Sequence, residues 1–269
     1  MEKIASYQGE KLYYRDLGKG EPVMFIHGFA EDGTIWDLQA AYLEKKFRIL
    51  IPDIPGSHLA YDSETGMSSI EEYAECMKAV LEAEKIKNCV MIGHSMGGYL
   101  MLAFAEKYPH YLQGMGLFHS TAYADNEEKK TARRKSIELI RQYGSAAFLE
   151  QTIPNLFSDD FKNKAPREVA SLIKRYANFK TETLVSYYEA MIRRPDRTGV
   201  LKTFPGPVLF IIGENDKAVP LAQSLQQCHL PQLSYIHIFE NTAHMGMLEN
   251  TDLSNHIVEN FLDQTLKNI

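Results

Sequence analysis

The stretch Cys89-Val90-Met91-Ile92-Gly93-His94-Ser95-Met96-Gly97-Gly98-Tyr99-Leu100-Met101-Leu102-Ala103-Phe104-Ala105 constrains the chain more than any other. An unbroken apolar run ends in a glycine-rich turn, and good helix formers follow at once. This reads as a buried strand, a tight turn and a helix, with Ser95 on the turn. Strand, helix and serine backbone crowd together there, so the flanking residues must lack a Cβ. Gly93 and Gly97 meet that need, and Gly98 permits a further close approach. Such a turn presents a hydroxyl at the carboxyl edge of a sheet, over the positive end of a helix dipole. Taken alone, the pattern also fits a glycine-rich turn with a bystander serine, so the remainder of the chain has to decide.

The remainder alternates. Val23–Ile26, Phe47–Ile51, Cys89–Ile92, Gly116–Phe118 and Val208–Ile212 are short apolar runs with the profile of central parallel strands. Helical stretches lie between most of them, which predicts an α/β chain with a mostly parallel sheet. Ile4–Tyr7 and Lys11–Asp16, around Gln8-Gly9-Glu10, read as an edge hairpin, and Leu233–Phe239 as a late, more exposed strand. Ser68-Ser69-Ile70-Glu71-Glu72 offers two overlapping capping boxes. Ile70, Tyr73, Ala74, Met77 and Leu81 then form one apolar stripe, predicting a helix over 69–83. Leu253, Ile257, Phe261 and Leu262 mark a last amphipathic helix.

Residues 121–203 break the pattern with four consecutive helical stretches, Glu127–Tyr143, Ser145–Thr152, Arg167–Ala177 and Glu182–Arg193. They read as an insertion after the sixth strand, leaving residues 1–120 and 204–269 as the core. Aromatic side chains abound in the insertion, among them Phe148, Phe157, Tyr187 and Tyr188. Most belong to packing, and a few are expected to line an apolar pocket. The mixed charge run Glu127–Lys135 reads as a solvated helix face.

A formal charge of −6 and a pI near 5.9 argue against nucleic acid or an anionic membrane as partner and favour a neutral or apolar small molecule. Cys76, Cys89 and Cys228 are odd in number and far apart, which suits reduced thiols in a cytoplasmic protein. Met1–Tyr7 carries no apolar leader segment, and the longest apolar region is punctured by glycines, His94 and Ser95. The histidines lack metal-ligand spacing, and no phosphate loop or dinucleotide fingerprint occurs, so neither a metal nor a cofactor is implied.

A serine hydroxyl becomes a nucleophile when a base takes its proton, and an acid must hold that base in one tautomer. Asp216 follows the run Val208–Ile212, and His244 follows Leu233–Phe239, so both should reach the sheet edge that carries Ser95. Each alone has a plainer reading: a turn-forming Asp, a solvent-facing His. Position and order together favour nucleophile, acid and base. The developing oxyanion needs two donors. The Met96 N–H is one and the Phe29 N–H, after the strand Val23–Ile26, is the other. The Phe29 ring either walls the pocket or belongs to the core.

These segments together resemble the α/β-hydrolase fold family, in the branch of small esterases and lactonases with a helical cap. The resemblance is carried by His27-Gly28-Phe29 with Trp36, Pro52-Asp53-Ile54-Pro55-Gly56, Gly93–Gly98, Gly213–Pro220 and Ala243-His244-Met245. It implies Ser95 as nucleophile, Asp216 as acid, His244 as base, and residues 121–203 as the cap. One segment departs: family members commonly continue Pro-Asp-x-Pro-Gly with His-Gly-x-Ser, whereas this chain runs Gly56-Ser57-His58-Leu59-Ala60-Tyr61.

His94 points away from the reaction and is expected to be structural. His119, after Gly116–Phe118, is a candidate substrate-binding residue, with a plain hydrogen-bonding role as the alternative. The expected activity is hydrolysis of a small carboxylic ester or lactone through an acyl-enzyme. The same machinery also serves C–C bond hydrolysis, N-terminal peptide hydrolysis and perhydrolysis, and a ligand sensor could retain it.

Overall fold

The computed structural model describes residues 1–58 and 67–266. Leu59, Ala60 and Tyr61 of the departing segment lie outside the described residues. The strands are β1 (Glu2–Tyr7), β2 (Glu10–Gly18), β3 (Pro22–Ile26), β4 (Arg48–Pro52), β5 (Cys89–His94), β6 (Leu112–Phe118), β7 (Val208–Gly213) and β8 (Ser234–Phe239). The helices of the core are α1 (Asp37–Leu43), α2 (Ile70–Ala83) and α3 (Met96–Lys107), and those between β6 and β7 are α4 (Glu127–Thr152), α5 (Asp159–Lys164), α6 (Pro166–Tyr176), α7 (Thr181–Arg193) and α8 (Thr198–Thr203). The chain finishes with α9 (Leu221–Gln227), α10 (Gly246–Glu249) and α11 (Thr251–Leu266).

The strands form one sheet in the order β1-β2-β4-β3-β5-β6-β7-β8. β1 and β2 are antiparallel to their neighbours, and β3 to β8 run parallel. The parallel strands β5 and β7 are buried along their whole length, as a sheet covered on both faces requires. At the far edge β8 is only partly buried, with Ile236 and Ile238 exposed. The β1–β2 hairpin turns on Gln8 and Gly9, both at positive φ (49° and 90°).

α2 starts where its capping box predicts. Glu72 N–H donates to Ser69 Oγ at 3.2 Å and Ser69 N–H to Glu72 Oε2 at 3.0 Å. Its apolar stripe, Ile70, Tyr73, Ala74, Met77 and Leu81, is buried. α11 buries Ile257, Val258, Phe261 and Leu262, whereas Leu253, expected on that face, is 40% exposed in the first turn.

The helices between β6 and β7 lie over the sheet edge that carries Ser95. Tyr187 on α7 donates to Pro55 O at 2.9 Å, and Arg175 on α6 pairs with Asp32 at 2.6 Å. α4 is bent at Gly144 (φ 82°, ψ 163°), the residue that separates two of the expected helical stretches. No described helix is long and apolar enough to cross a membrane.

Gly144 has open space around its Cα but a backbone conformation that other residues resist. Gly144→Ala is therefore expected to cost about 1–3 kcal/mol. Each 1 kcal/mol lowers Tm by roughly 2–4 °C in a chain of this size, which a thermal melt reads directly.

Candidate active site

Ser95 sits between β5 and α3 with φ 49° and ψ −113°, a conformation that costs a non-glycine residue about 1–3 kcal/mol. Close backbone approaches hold it there. A Cβ on Gly93 would lie 2.4 Å from Gly97 C, and one on Gly97 would lie 2.4 Å from Ile26 O on β3. A Cβ on Gly98 would strike Ser120 Oγ at 2.2 Å, and that hydroxyl donates to Ser95 O at 2.7 Å. The turn is thus wedged between β3 and the segment leaving β6.

Asp216 and His244 come together from the loops after β7 and β8. His244 Nδ1 donates to Asp216 Oδ2 at 2.7 Å, while Asp216 Oδ1 accepts from Ala218 N at 2.8 Å and Val219 N at 2.9 Å. Burial would raise the Asp216 carboxyl, but His244 and the hydrogen bonds from His119 and His244 hold it well below the usual carboxylate range. The His244 backbone is held on both sides. Its N–H donates to Leu156 O at 2.9 Å, and its carbonyl accepts from His94 Nε2 at 3.0 Å.

His119 lies behind this pair and not in the cavity lining, so a hydrogen-bonding role replaces the substrate contact expected of it. Its Nδ1 is 3.5 Å from Asp216 Oδ2, and Gly246 N–H donates to its Nε2 at 3.2 Å. Gly213 N–H also points at Nδ1, at 3.1 Å. Full burial disfavours a second ring proton more than the nearby Asp216 carboxylate favours it. The imidazole pKa is pushed down to about 4. Gly246 is required here, because a Cβ would lie 2.3 Å from His119 Nε2.

The loop after β3 carries one candidate oxyanion donor, the Phe29 N–H, and the start of α3 carries the other, the Met96 N–H. His27 Nε2 accepts from Ile54 N at 2.9 Å, which leaves Nδ1 to donate to Gly28 O at 2.9 Å. Among the described residues, neither Phe29 N–H nor Met96 N–H donates to a protein acceptor, as donors kept for a ligand require.

Sequence reasoning did not find Glu31. Its Oε2 accepts from Gly28 N at 2.6 Å and from His94 Nδ1 at 2.9 Å. Burial opposes both charges. Even so, the pair holds the Glu31 carboxyl below and the His94 imidazole above their ordinary values. His94 is structural, as expected, and links the loop after β3 to the backbone of His244. The only signal in the sequence was a pair of adjacent acids, Glu31 and Asp32, in the loop that follows His27-Gly28-Phe29.

Ser95, His244, Phe29 and Glu31 line a cavity of about 150 Å³ under the inserted helices. It shares Phe29, Glu31, Leu156, Tyr188 and Ala218 with a more apolar neighbour of about 270 Å³. Phe29 stacks on Tyr188 with centroids 4.2 Å apart, so its ring walls the pocket. Among the described residues, no cluster of three His, Cys, Asp or Glu side chains could hold a metal ion.

The profile of the alpha/beta hydrolase fold family matches residues 21–135, the segment that holds the Phe29 loop and the Ser95 turn. The solved structure of a thermophilic esterase from Thermogutta terrifontis (malate bound) superposes with a TM-score of 0.91 at 25% identity, covering 98% of this chain and 99% of the other. The chain has the α/β-hydrolase fold.

This α/β-hydrolase is also similar to the enol-lactonase from Burkholderia xenovorans LB400, with a TM-score of 0.87, 24% identity, and 97% and 99% of the two chains covered. It is 25% identical, over 93% of its length and 91% of the other, to the 2-hydroxy-6-oxononadienedioate/2-hydroxy-6-oxononatrienedioate hydrolase of a Pseudomonas species. It is an enzyme of the hydrolase class.

The placement of His119 predicts an acid-sensitive fold. The unfolded chain binds a proton at His119 near pH 6.5, and the folded chain does so only near pH 4. Stability attributable to this residue is therefore intact above pH 6.5, falls as pH drops through that window, and is lost in full below pH 4. The loss amounts to roughly 3 kcal/mol. In Tm measured against pH, His119→Gln should flatten the curve between pH 6.5 and 4 relative to wild type.

Proposed function

We propose that this α/β-hydrolase cleaves a small carboxylic ester or lactone through an acyl-enzyme. The observation that carries the reading is the Asp216–His244 hydrogen bond of 2.7 Å, on a histidine that lines the same cavity as the strained Ser95. Ser95 Oγ attacks the carbonyl carbon and its proton passes to His244 Nε2. Asp216 keeps Nδ1 protonated and stabilises the imidazolium. The carbonyl oxygen, now negative, accepts from the N–H groups of Phe29 and Met96. Collapse breaks the C–O bond, and His244 returns the proton to the leaving alcohol. Water, deprotonated by His244, then attacks the acyl carbon and releases the acid.

In this reading residues 121–203 act as the cap that encloses the ligand, and the ligand is a small molecule rather than nucleic acid or a membrane surface. Three cysteines, all free and buried, support a cytoplasmic setting. Similarity to a thermophilic esterase and an enol-lactonase supports ester or lactone chemistry. Similarity to the nonadienedioate hydrolase favours a second reading, in which the same residues hydrolyse a C–C bond beside a ketone.

A panel of esters, lactones, amides and thioesters of varied acyl length tests this, with a vinylogous diketone added for the second reading. Ser95→Ala is the blank. Turnover of short esters or lactones is expected to fall by at least about 10³-fold in Ser95→Ala. A variant as active as wild type would overturn the proposal.

A further inference from the structure

Two cations, Lys129 and Arg133, line the Ser95 cavity, and the proposed mechanism uses neither. They stand one turn apart on α4. Among the described residues they belong to a cluster of three cations around one carboxylate. Asp125 takes Arg133 Nε at 2.6 Å and Arg194 Nη2 at 3.0 Å, with Lys129 Nζ at 4.0 Å. The Asp125 side chain is 1% exposed and that of Arg133 14% exposed, so water compensates this excess of positive charge poorly. Glu31, the other carboxylate in the lining, is already committed to His94 and Gly28 N.

The three cations have different duties. Arg194 spends its donors on Met191 O, Tyr123 O and Asp125, and its guanidinium lies 3.9 Å from the centroid of the Tyr99 ring. Lys129 Nζ donates to Ala218 O at 2.8 Å. Arg133 uses Nε alone toward Asp125. Its two terminal amino groups have no acceptor among the described residues, and they form the planar fork that grips a carboxylate through parallel hydrogen bonds. Tyr99, also in the lining, registers the local potential. Burial would raise its phenol, yet Arg194, Lys129 and Arg133 hold it below its ordinary value.

We infer that the cavity takes a substrate bearing a carboxylate within a few bonds of the scissile carbonyl, gripped by Arg133 and further attracted by Lys129. This rests on the reading of Ser95 as the nucleophile. The spacing follows from Ser95, Lys129 and Arg133 lining one cavity of about 150 Å³, while the neighbour of about 270 Å³ that shares five lining residues leaves room for the rest of the substrate. The neutral ligand expected from the overall charge of −6 gives way, because the field inside a small cavity is set by the groups that line it.

Two 4-nitrophenyl esters of matched length test the inference: the hemiester of glutaric acid, with its free carboxylate, and the pentanoate. Wild type should favour the hemiester in kcat/KM by at least about 10-fold. Arg133→Gln should reduce that preference by between about 10- and 100-fold. Arg133→Lys, which keeps the charge but not the fork, should recover part of it. Arg194 still pairs with Asp125 in both variants, so neither strands a buried carboxylate.

A binding arm separates this inference from the nucleophile reading. Millimolar glutarate should raise the Tm of wild type and of Ser95→Ala, and should not raise that of Arg133→Gln. If no ester is turned over but glutarate still protects through Arg133, the subsite stands and the nucleophile reading fails. Equal kcat/KM for the two esters in wild type, or no protection by glutarate, overturns the subsite.

Discussion

The site depends on a steric constraint at one turn. Ser95 can hold a positive φ only because Gly97 lets α3 press against the carbonyls of Ile26 and His27, and because Gly93 and Gly98 clear the space on the other side. The same contact that strains the serine places β3 beside it, and with β3 comes the loop that carries Phe29. Ser95 and the Phe29 amide are therefore fixed relative to each other by backbone packing between two central strands. Side-chain flexibility plays little part in that alignment.

Around this turn buried charges occur in compensated groups, with one exception. Asp216 is satisfied by His244, two backbone amides and the more distant His119. Glu31 and His94 neutralise each other and tie the loop after β3 to the His244 carbonyl. Both are buried arrangements in which loss of one partner would leave an uncompensated charge. The cluster of Asp125, Lys129, Arg133 and Arg194 is the exception, with positive charge in excess where α4 meets the cavity. Two requirements of the proposed reaction are supplied by different parts of one scaffold: a rigid edge on the sheet that carries Ser95, and a cavity wall from the helices between β6 and β7.

Much of this was legible in the sequence because local patterns coincide with local structure. The apolar runs mark the strands, the Ser69–Glu72 capping box marks the start of α2, and Gly144 marks the bend in α4. Ser95, Asp216 and His244 could be found because each follows a strand at the carboxyl edge of a parallel sheet. What stayed hidden depends on contacts between distant segments. Glu31 looked like one acid among many until His94, 63 residues later, proved to be its partner. His119 follows its strand as expected, yet Gly213, Gly246 and Asp216 turn its ring behind the acid. Lys129 and Arg133 sit in a charge run that reads as a solvated face, and only the docking of α4 over the sheet turns them inward.

The central claim is that Ser95 is a nucleophile activated by His244 and Asp216. The most direct measurement is covalent labelling with diethyl 4-nitrophenyl phosphate, followed by mass spectrometry of the intact protein and its peptides. One phosphoryl adduct per chain is predicted, on the peptide containing Ser95, with labelling abolished in Ser95→Ala and greatly slowed in His244→Ala. No adduct, or an adduct at equal rate in Ser95→Ala, would contradict the account.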